Sequence, residues 1–291
     1  MPEMPEVQGL AQFLASKLTP VKGAPARVRD VQLGSFAVLK TAEVPLATIS
    51  SMTFTDVDRR GKFLILSLEG VHLVMHLARA GWLRWSDSIP DTALRPGKGP
   101  IALRLRCAEP EGYGFDLTEA GTKKSAAAYL VRDVAEVPGL SRLGPEALDV
   151  GLETFLEMLH GHRSQIKGLL RDQSFIAGIG NAYSDEILHA ARLSPFALAT
   201  NLGEEQLATL HTAMHSVLGT AITAAAGKPA KELKDAKRRE MKVHGRTGQE
   251  CPVCGDTVRE VSFADSALQY CPTCQTGGKP LADRRTSKFL K

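Results

Sequence analysis

Two Cys-x-x-Cys pairs near the C-terminal end, Cys251-Pro-Val-Cys254 and Cys271-Pro-Thr-Cys274, constrain this chain more than any other feature; sixteen residues separate them. Each x-x turn brings two sulfurs to one side of a tight bend, so four thiolates can close a tetrahedron around Zn²⁺. Between the pairs, Val258, Val261, Phe263, Leu268 and Tyr270 make Thr257 to Tyr270 β-compatible, with Ala264-Asp265-Ser266 reading as a hairpin tip. Two disulfides or two buried thiol pairs are the alternative, but disulfides suit small secreted chains, and this one has 291 residues with no signal-peptide pattern at its start. Four ligands leave no open position, which makes the expected single zinc ion structural. The chemistry must come from elsewhere. Cys107, the fifth cysteine, stands in a strand-like run and is expected in the core.

Charge gathers on both sides of the quartet. From Lys228 to Arg246 there are eight basic residues against three acids, and from Lys279 onward five more against Asp283. A metal hairpin set in a positive field is what grips a polyanion, so a nucleic acid is the expected partner. A composition of 43% hydrophobic and 23% charged residues excludes a largely disordered chain. No apolar run reaches membrane-spanning length, so no membrane partner is expected and the protein reads as cytosolic.

Along the chain, Val7, Leu10, Ala11, Leu14 and Leu18 recur on one face and predict a helix to about Leu18, with Pro5 at its start. Short β-rich runs follow at Arg27 to Leu33, Ser51 to Val57, Phe63 to Leu68, Val71 to Leu77, Trp82 to Trp85 and Ile101 to Cys107. One leading helix and many strands predict a β-sandwich or barrel. Composition turns helical after Val137-Pro138-Gly139, and helices are expected over Thr154 to Leu159, Gln165 to Leu170, Asn181 to Ala191 and Glu204 to Ala226. The fold class is therefore α+β in two domains: an N-terminal β-sandwich with a flanking helix over residues 1–140, a helical module over 150–226, and a zinc-finger β-hairpin over 242–291.

Two places could carry chemistry. Gly178-Ile179-Gly180 ends one helix and opens the next, so unpaired backbone N–H groups gather beside Asn181 and can hold a phosphate; a plain helix-helix corner is the bland alternative. At the other end, removal of Met1 would make Pro2 a secondary amine next to the positive end of a helix, which disfavours its protonated form. Such an amine can attack a sugar C1′ and form an iminium, and Glu3 could exchange protons with the sugar or the leaving base.

Met1-Pro-Glu-Met-Pro-Glu-Val7 closely resembles the opening of the formamidopyrimidine-DNA glycosylase and endonuclease VIII family. Arg60-Gly-Lys-Phe-Leu64, the block from Gln173 to Leu188, Val243-His-Gly-Arg-Thr-Gly248 and the cysteine quartet are similar to further blocks of that family, in the same order. The resemblance implies an N-terminal β-sandwich, a helix-two-turn-helix module and a zinc finger, with double-stranded DNA as partner. It implies Pro2 as nucleophile, Glu3 as acid or base, and Lys62 as a phosphate-contacting hairpin lysine that assists catalysis. Asn181, Lys167, Arg79, Gly178, Gly180 and Arg246 fall at DNA-contact positions. The implied protein is a monomer that excises oxidised bases and cleaves abasic sites by β,δ-elimination, with the target nucleotide out of the stack.

Four departures from the family pattern stand out. Arg79 occupies the place of a gap-filling Met. The loop that carries an Arg and a Phe reads Leu117-Thr-Glu-Ala-Gly-Thr-Lys-Lys124. Ser266 stands where the zinc hairpin presents an arginine, and the segment before Val243 lacks the Gly- and Thr-rich capping loop. A relative that binds damage or abasic sites with lost or narrowed glycosylase activity is therefore the second reading, and the preferred base stays open.

Overall fold

The computed structural model describes residues 1–97, 99–263 and 266–282. Met4–Leu18 forms helix α1, whose buried side is Val7, Leu10, Ala11, Leu14 and Leu18. Two four-stranded antiparallel sheets follow. One has the order β1-β6-β7-β5, from Arg27–Leu33 (β1), Ile101–Glu109 (β6), Gly114–Glu119 (β7) and Gly81–Ser86 (β5). The other has the order β2-β3-β4-β8, from Phe54–Arg60 (β2), Phe63–Leu68 (β3), Val71–His76 (β4) and Ala127–Val131 (β8). Their inward residues, among them Leu64, Leu66, Leu73, Leu103, Leu105, Phe115 and Leu117, make one apolar cluster with the buried side of α1.

The turns obey local chemistry. Glu69-Gly70 joins β3 to β4 with Leu68 opposite Val71, and Gly70 takes φ +81°. Gly61-Lys62 joins β2 to β3 with Arg60 opposite Phe63, and Gly61 takes the positive φ, +55°, that a two-residue hairpin favours. Leu117 to Glu119, expected in a loop, belongs to β7, where Leu117 and Thr118 pair with Leu83 and Trp82. The loop starts only at Ala120. Buried Glu119 shapes it, its Oε1 accepting the backbone N–H groups of Ser125 at 2.7 Å and Ala126 at 2.9 Å.

The helical part contains α2 (Leu152–Leu159), α3 (Ile166–Arg171), α4 (Asn181–Ala190), α5 (Glu204–Ala225) and α6 (Leu233–Glu240). Arg259–Ser262 (β9) and Ala267–Tyr270 (β10) form the expected hairpin, followed by the short helix α7, Pro272–Thr276. Of the expected tip, Ala264 and Asp265 lie outside the described residues. Among the described residues no helix is long and apolar enough to cross a membrane.

The chain divides into two compact units, one of Met1–Arg142 with Ala225–Lys234, the other of Leu143–Ala224 with Asp235–Lys291. Residues 225–234 return to the first unit: Leu233 is 1% exposed in its core, and a Cβ on Gly9 of α1 would lie 2.9 Å from Leu233 Cδ2. The zinc hairpin, expected as a segment of its own, shares the second unit with the helices. The reason is polar as much as apolar: Gln275 Nε2 donates to Leu193 O at 2.9 Å, and Glu186 of α4 accepts three backbone N–H groups from the segment that leads into the hairpin.

Candidate functional site

In the first unit, Glu3 is the extended N-cap of α1 and shares a capping box with Glu6; its own N–H donates to Glu6 Oε2 at 2.8 Å, while its carboxylate accepts the Glu6 N–H. Pro2 is buried and Glu3 is 1% exposed. A carboxylate at this end of a helix faces the positive pole of the backbone dipoles, and an amine one residue earlier feels the same field with the opposite sign.

Lys62, half-buried, sits in the turn between β2 and β3, and α1 packs on both strands. Arg59 binds the turn to the helix: its Nε donates to Gln8 Oε1 at 2.7 Å, and its Nη1 to Gly61 O at 3.4 Å. The elements that carry Pro2, Glu3 and Lys62 are thus fastened to one another. His76 joins them unannounced by the sequence. It faces Phe63 in the β3–β4 ladder with ring centroids 4.7 Å apart, and burial first, then the Lys62 ammonium, pushes its pKa down to about 4. The imidazole beside Lys62 is therefore neutral at ordinary pH.

Arg79 is exposed on the turn from β4 to β5. That turn is closed by the Gly81 N–H donating to Leu77 O at 2.9 Å, and a Cβ on Gly81 would stand 2.2 Å from the same oxygen. No side-chain-bearing residue closes the turn in this shape.

In the second unit, Gln173 organises the glycine turn between α3 and α4. Its Nε2 donates to Ile179 O at 2.7 Å, and its Oε1 accepts the Gly178 N–H at 3.0 Å; Gly178 itself takes φ +102°. Gly180 caps α4, and Asn181 is its first residue. Asn181 Nδ2 donates to Ala267 O of the hairpin at 2.7 Å, whereas its buried Oδ1 has no hydrogen-bond partner among the described residues. A phosphate accepts, so a phosphate contact would use the Nδ2 that now holds Ala267. Asn181 lines a cavity of about 290 Å³ together with Lys167, Arg171, Phe263 and Ser266. Arg171 is exposed and falls four residues after Lys167 on α3, a spacing that puts both on one helix face; Phe263 is 41% exposed. Neither was singled out from the sequence, although the Lys167–Arg171 spacing was there to be read.

Lys167, expected at a DNA backbone, is 4% exposed, and its ammonium donates to Asp185 Oδ1 at 2.6 Å, Ser184 Oγ at 2.7 Å and Asn181 O at 3.2 Å. Its three protons are met by internal acceptors. Asp185 Oδ2 faces His244 Nδ1 at 2.7 Å and accepts the Gln269 N–H at 3.2 Å, so one buried carboxylate joins α3, α4, the pre-hairpin segment and β10. Burial raises the pKa of neighbouring Glu186, and the N–H groups of His244, Val243 and Lys242 oppose that rise. Arg246 is half-buried and spends two nitrogens on its own turn, with Nε to Gln249 Oε1 at 3.0 Å and Nη1 to Met241 O at 3.2 Å.

The four cysteine sulfurs lie within 4.8 Å of one another, with Cys254 and Cys271 at 3.3 Å and Cys251 and Cys274 at 3.9 Å. A tetrahedron with Zn–S bonds of about 2.3 Å has edges near 3.8 Å, so the quartet fits one structural zinc ion. Burial pushes Cys271 up to about 11 and raises Cys274 further, whereas the Asp256 N–H holds Cys254 below the ordinary thiol range. Asp256 joins the two knuckles by accepting from Thr273 N at 3.1 Å and Thr273 Oγ1 at 2.8 Å. His189 Nε2 lies 3.3 Å from Cys251 Sγ, placing an imidazole behind one ligand. Cys107 is a buried core thiol, pushed up to about 12 by desolvation.

Three family models match the chain: the formamidopyrimidine-DNA glycosylase N-terminal domain over residues 1–115, the formamidopyrimidine-DNA glycosylase H2TH domain over 143–231, and the zinc finger found in FPG and IleRS over 248–277. The formamidopyrimidine-DNA glycosylase of Moorella thermoacetica is 34% identical over 272 residues, covering 90% of this chain and 94% of its own. That of Thermus thermophilus is 32% identical, covering 96% of this chain and all of its own. An uncharacterized formamidopyrimidine-DNA glycosylase-like protein of Mycobacterium tuberculosis is 58% identical over 158 residues, its full length and 54% of this chain. A solved complex of the Lactococcus lactis Fpg with DNA containing an abasic site has the same fold, with TM-score 0.80, 24% identity, and coverage of 94% of this chain and all of that one.

Proposed function

Because this chain belongs to the formamidopyrimidine-DNA glycosylase family, we propose that it is a base-excision DNA glycosylase that also cleaves the resulting abasic site. With Met1 removed, the Pro2 nitrogen attacks C1′ of an everted nucleotide while the base departs with the electrons of the glycosidic bond. Glu3 exchanges the proton with the sugar or the base, and ring opening leaves an iminium on Pro2. Loss of a C2′ proton then expels the 3′ phosphate, a second elimination expels the 5′ phosphate, and water frees the amine. Lys62 supplies positive charge for the phosphate at the lesion, and its neutral neighbour His76 adds no second cation to that spot. Asn181, the Gly178–Gly180 turn and exposed Arg171 grip the backbone, and the zinc hairpin holds Ala267 against Asn181.

The observation that carries this reading is the Pro2-Glu3 pair at the cap of α1, on a helix fastened through Gln8 and Arg59 to the turn that bears Lys62. Borohydride trapping on an abasic duplex tests it. The wild type should give a covalent protein–DNA adduct and Pro2→Gly should give none; intact mass should show the chain lacking Met1. An equal adduct from Pro2→Gly would remove the amine from the mechanism.

One observation favours the second reading, a damage binder with narrowed excision. The turn after β4 exposes Arg79, and the loop after β7, residues 120–126, carries no aromatic residue to wedge the stack. A panel of lesion duplexes separates the readings: narrowed excision predicts trapping on abasic DNA with little release of oxidised bases, and a changed lesion spectrum in Arg79→Met.

A further inference from the structure

Helix α5 carries His211 and His215 four residues apart, so both imidazoles stand on one helix face. Both are half-buried, and their rings lie 4.4 Å apart. Their Nε2 atoms converge on one backbone oxygen just ahead of α2, Val150 O, at 2.8 Å from His211 and 3.2 Å from His215. A carbonyl only accepts, so each ring carries its proton on Nε2. Buried Phe155 of α2 fixes the other side of the pair, its ring 5.4 Å from that of His211. The three converging atoms have the spacing of a coordination shell: with metal–ligand bonds of about 2.1 Å, ligands at a right angle stand about 3.0 Å apart and tetrahedral ones about 3.4 Å. The 2.8 and 3.2 Å found here bracket the right-angled value. The setting favours a cation as well. In a chain of net charge +4, residues 143–162 and 193–227, which contain both elements, hold Glu146, Asp149, Glu153, Glu157, Glu204 and Glu205 and no lysine or arginine.

We propose that His211 Nε2, His215 Nε2 and Val150 O bind a late first-row transition-metal dication, separate from the cysteine quartet, with water on the remaining positions. The ion takes the place of two hydrogen bonds. Each imidazole proton passes through water from Nε2 to Nδ1, the lone pair this frees on Nε2 turns to the metal, and no net proton is lost. Two imidazoles and an oxygen suit Ni²⁺, Cu²⁺ and Zn²⁺, whereas Mg²⁺ and Ca²⁺ take all-oxygen shells. Bound there, the ion ties α5 to the segment that enters α2 and stabilises the folded helices by mass action.

The untagged, zinc-loaded protein is dialysed against Ni²⁺, and nickel and zinc are counted together. One Ni²⁺ per chain should bind saturably while the quartet keeps its zinc, and Mg²⁺ at the same concentration should not compete. His211→Gln and His215→Gln should each weaken nickel binding at least about tenfold, since even the loss of a partner behind a ligand costs that much. His160→Gln with His162→Gln, exposed and outside the pair, should leave it unchanged. In the wild type, where folding is not in question, paramagnetic Ni²⁺ should broaden the imidazole signals of His211 and His215 before those of the other histidines. No saturable nickel, nickel bound only by displacing zinc, equal binding in all the variants, or broadening centred on other histidines would each overturn the proposal and leave the pair as two imidazoles capping one carbonyl.

Discussion

Lys167 and Lys17 each hold a carboxylate, at 2.6 and 3.0 Å, yet their side chains and partners are 6% and 0% exposed in the first pair and 28% and 58% in the second. Water screens the Lys17–Asp87 pair, and such surface pairs are worth about 0–1 kcal/mol. The Lys167–Asp185 pair is dry, so removing the cation strands a charge at the junction of α3, α4 and β10. Lys167→Met should destabilise the protein by about 3–5 kcal/mol, read as a lower denaturant midpoint, whereas Lys17→Met should barely move it. His76 makes a second prediction. Folding lowers its pKa from 6.5 to about 4, so between those values the unfolded chain binds more protons than the folded one. Its contribution to stability is complete above pH 6.5 and is lost as the pH falls toward 4. An NMR titration of the imidazole should show the low midpoint, and Lys62→Ala should raise it only part of the way to the ordinary value, because burial is the larger cause.

At the level of elements, the zinc hairpin has little apolar support of its own: Val243, Val258, Cys251 and Cys271 in one cluster, and Val261, Leu268 and Tyr270 in another. Clusters this small do not hold a hairpin without their metal. A strong chelator should release one zinc per chain, abolish amide protection across β9 and β10, and leave the β-sandwich strands protected, as hydrogen exchange would report. Elements such as α1, β1, β3 and this hairpin were legible in the sequence because one periodicity or one ligand spacing governs each. Strand β7 was not, since Asp116 and Glu119 look like loop residues until Arg104 is found bidentate on Asp116, at 2.7 and 2.8 Å, and Glu119 is found closing the loop beyond. Helix α6 hid for a different reason: only Leu233 and Ala236 within it are buried, too few to show a period among its charged residues. The cysteine quartet was legible from its ligand spacing, whereas Pro2, Glu3, Lys62 and Asn181 come from motifs and belong to the proposed reading. The burial of Lys167, read from the family resemblance as a DNA-backbone contact, was not legible because its carboxylate partner lies eighteen residues away and across a turn.

For the molecule as a whole, a net charge of +4 understates the field, because the basic residues gather from Lys228 to Arg246. Binding to an abasic duplex should weaken steeply with salt, and Arg171→Ala should reduce the slope of log K against log salt by about 0.9 if it neutralises one phosphate. An unchanged slope would take Arg171 out of the interface. The course of the backbone has a bearing on biosynthesis. The first unit is closed by residues 225–234, which place Leu233 in its interior and whose Ala230 O accepts the Trp82 indole N–H. A ribosome therefore cannot release a finished N-terminal sandwich on its own: nascent chains shorter than about 234 residues leave that indole wet and that interior open, and folding of the first unit must wait for most of the second to be translated.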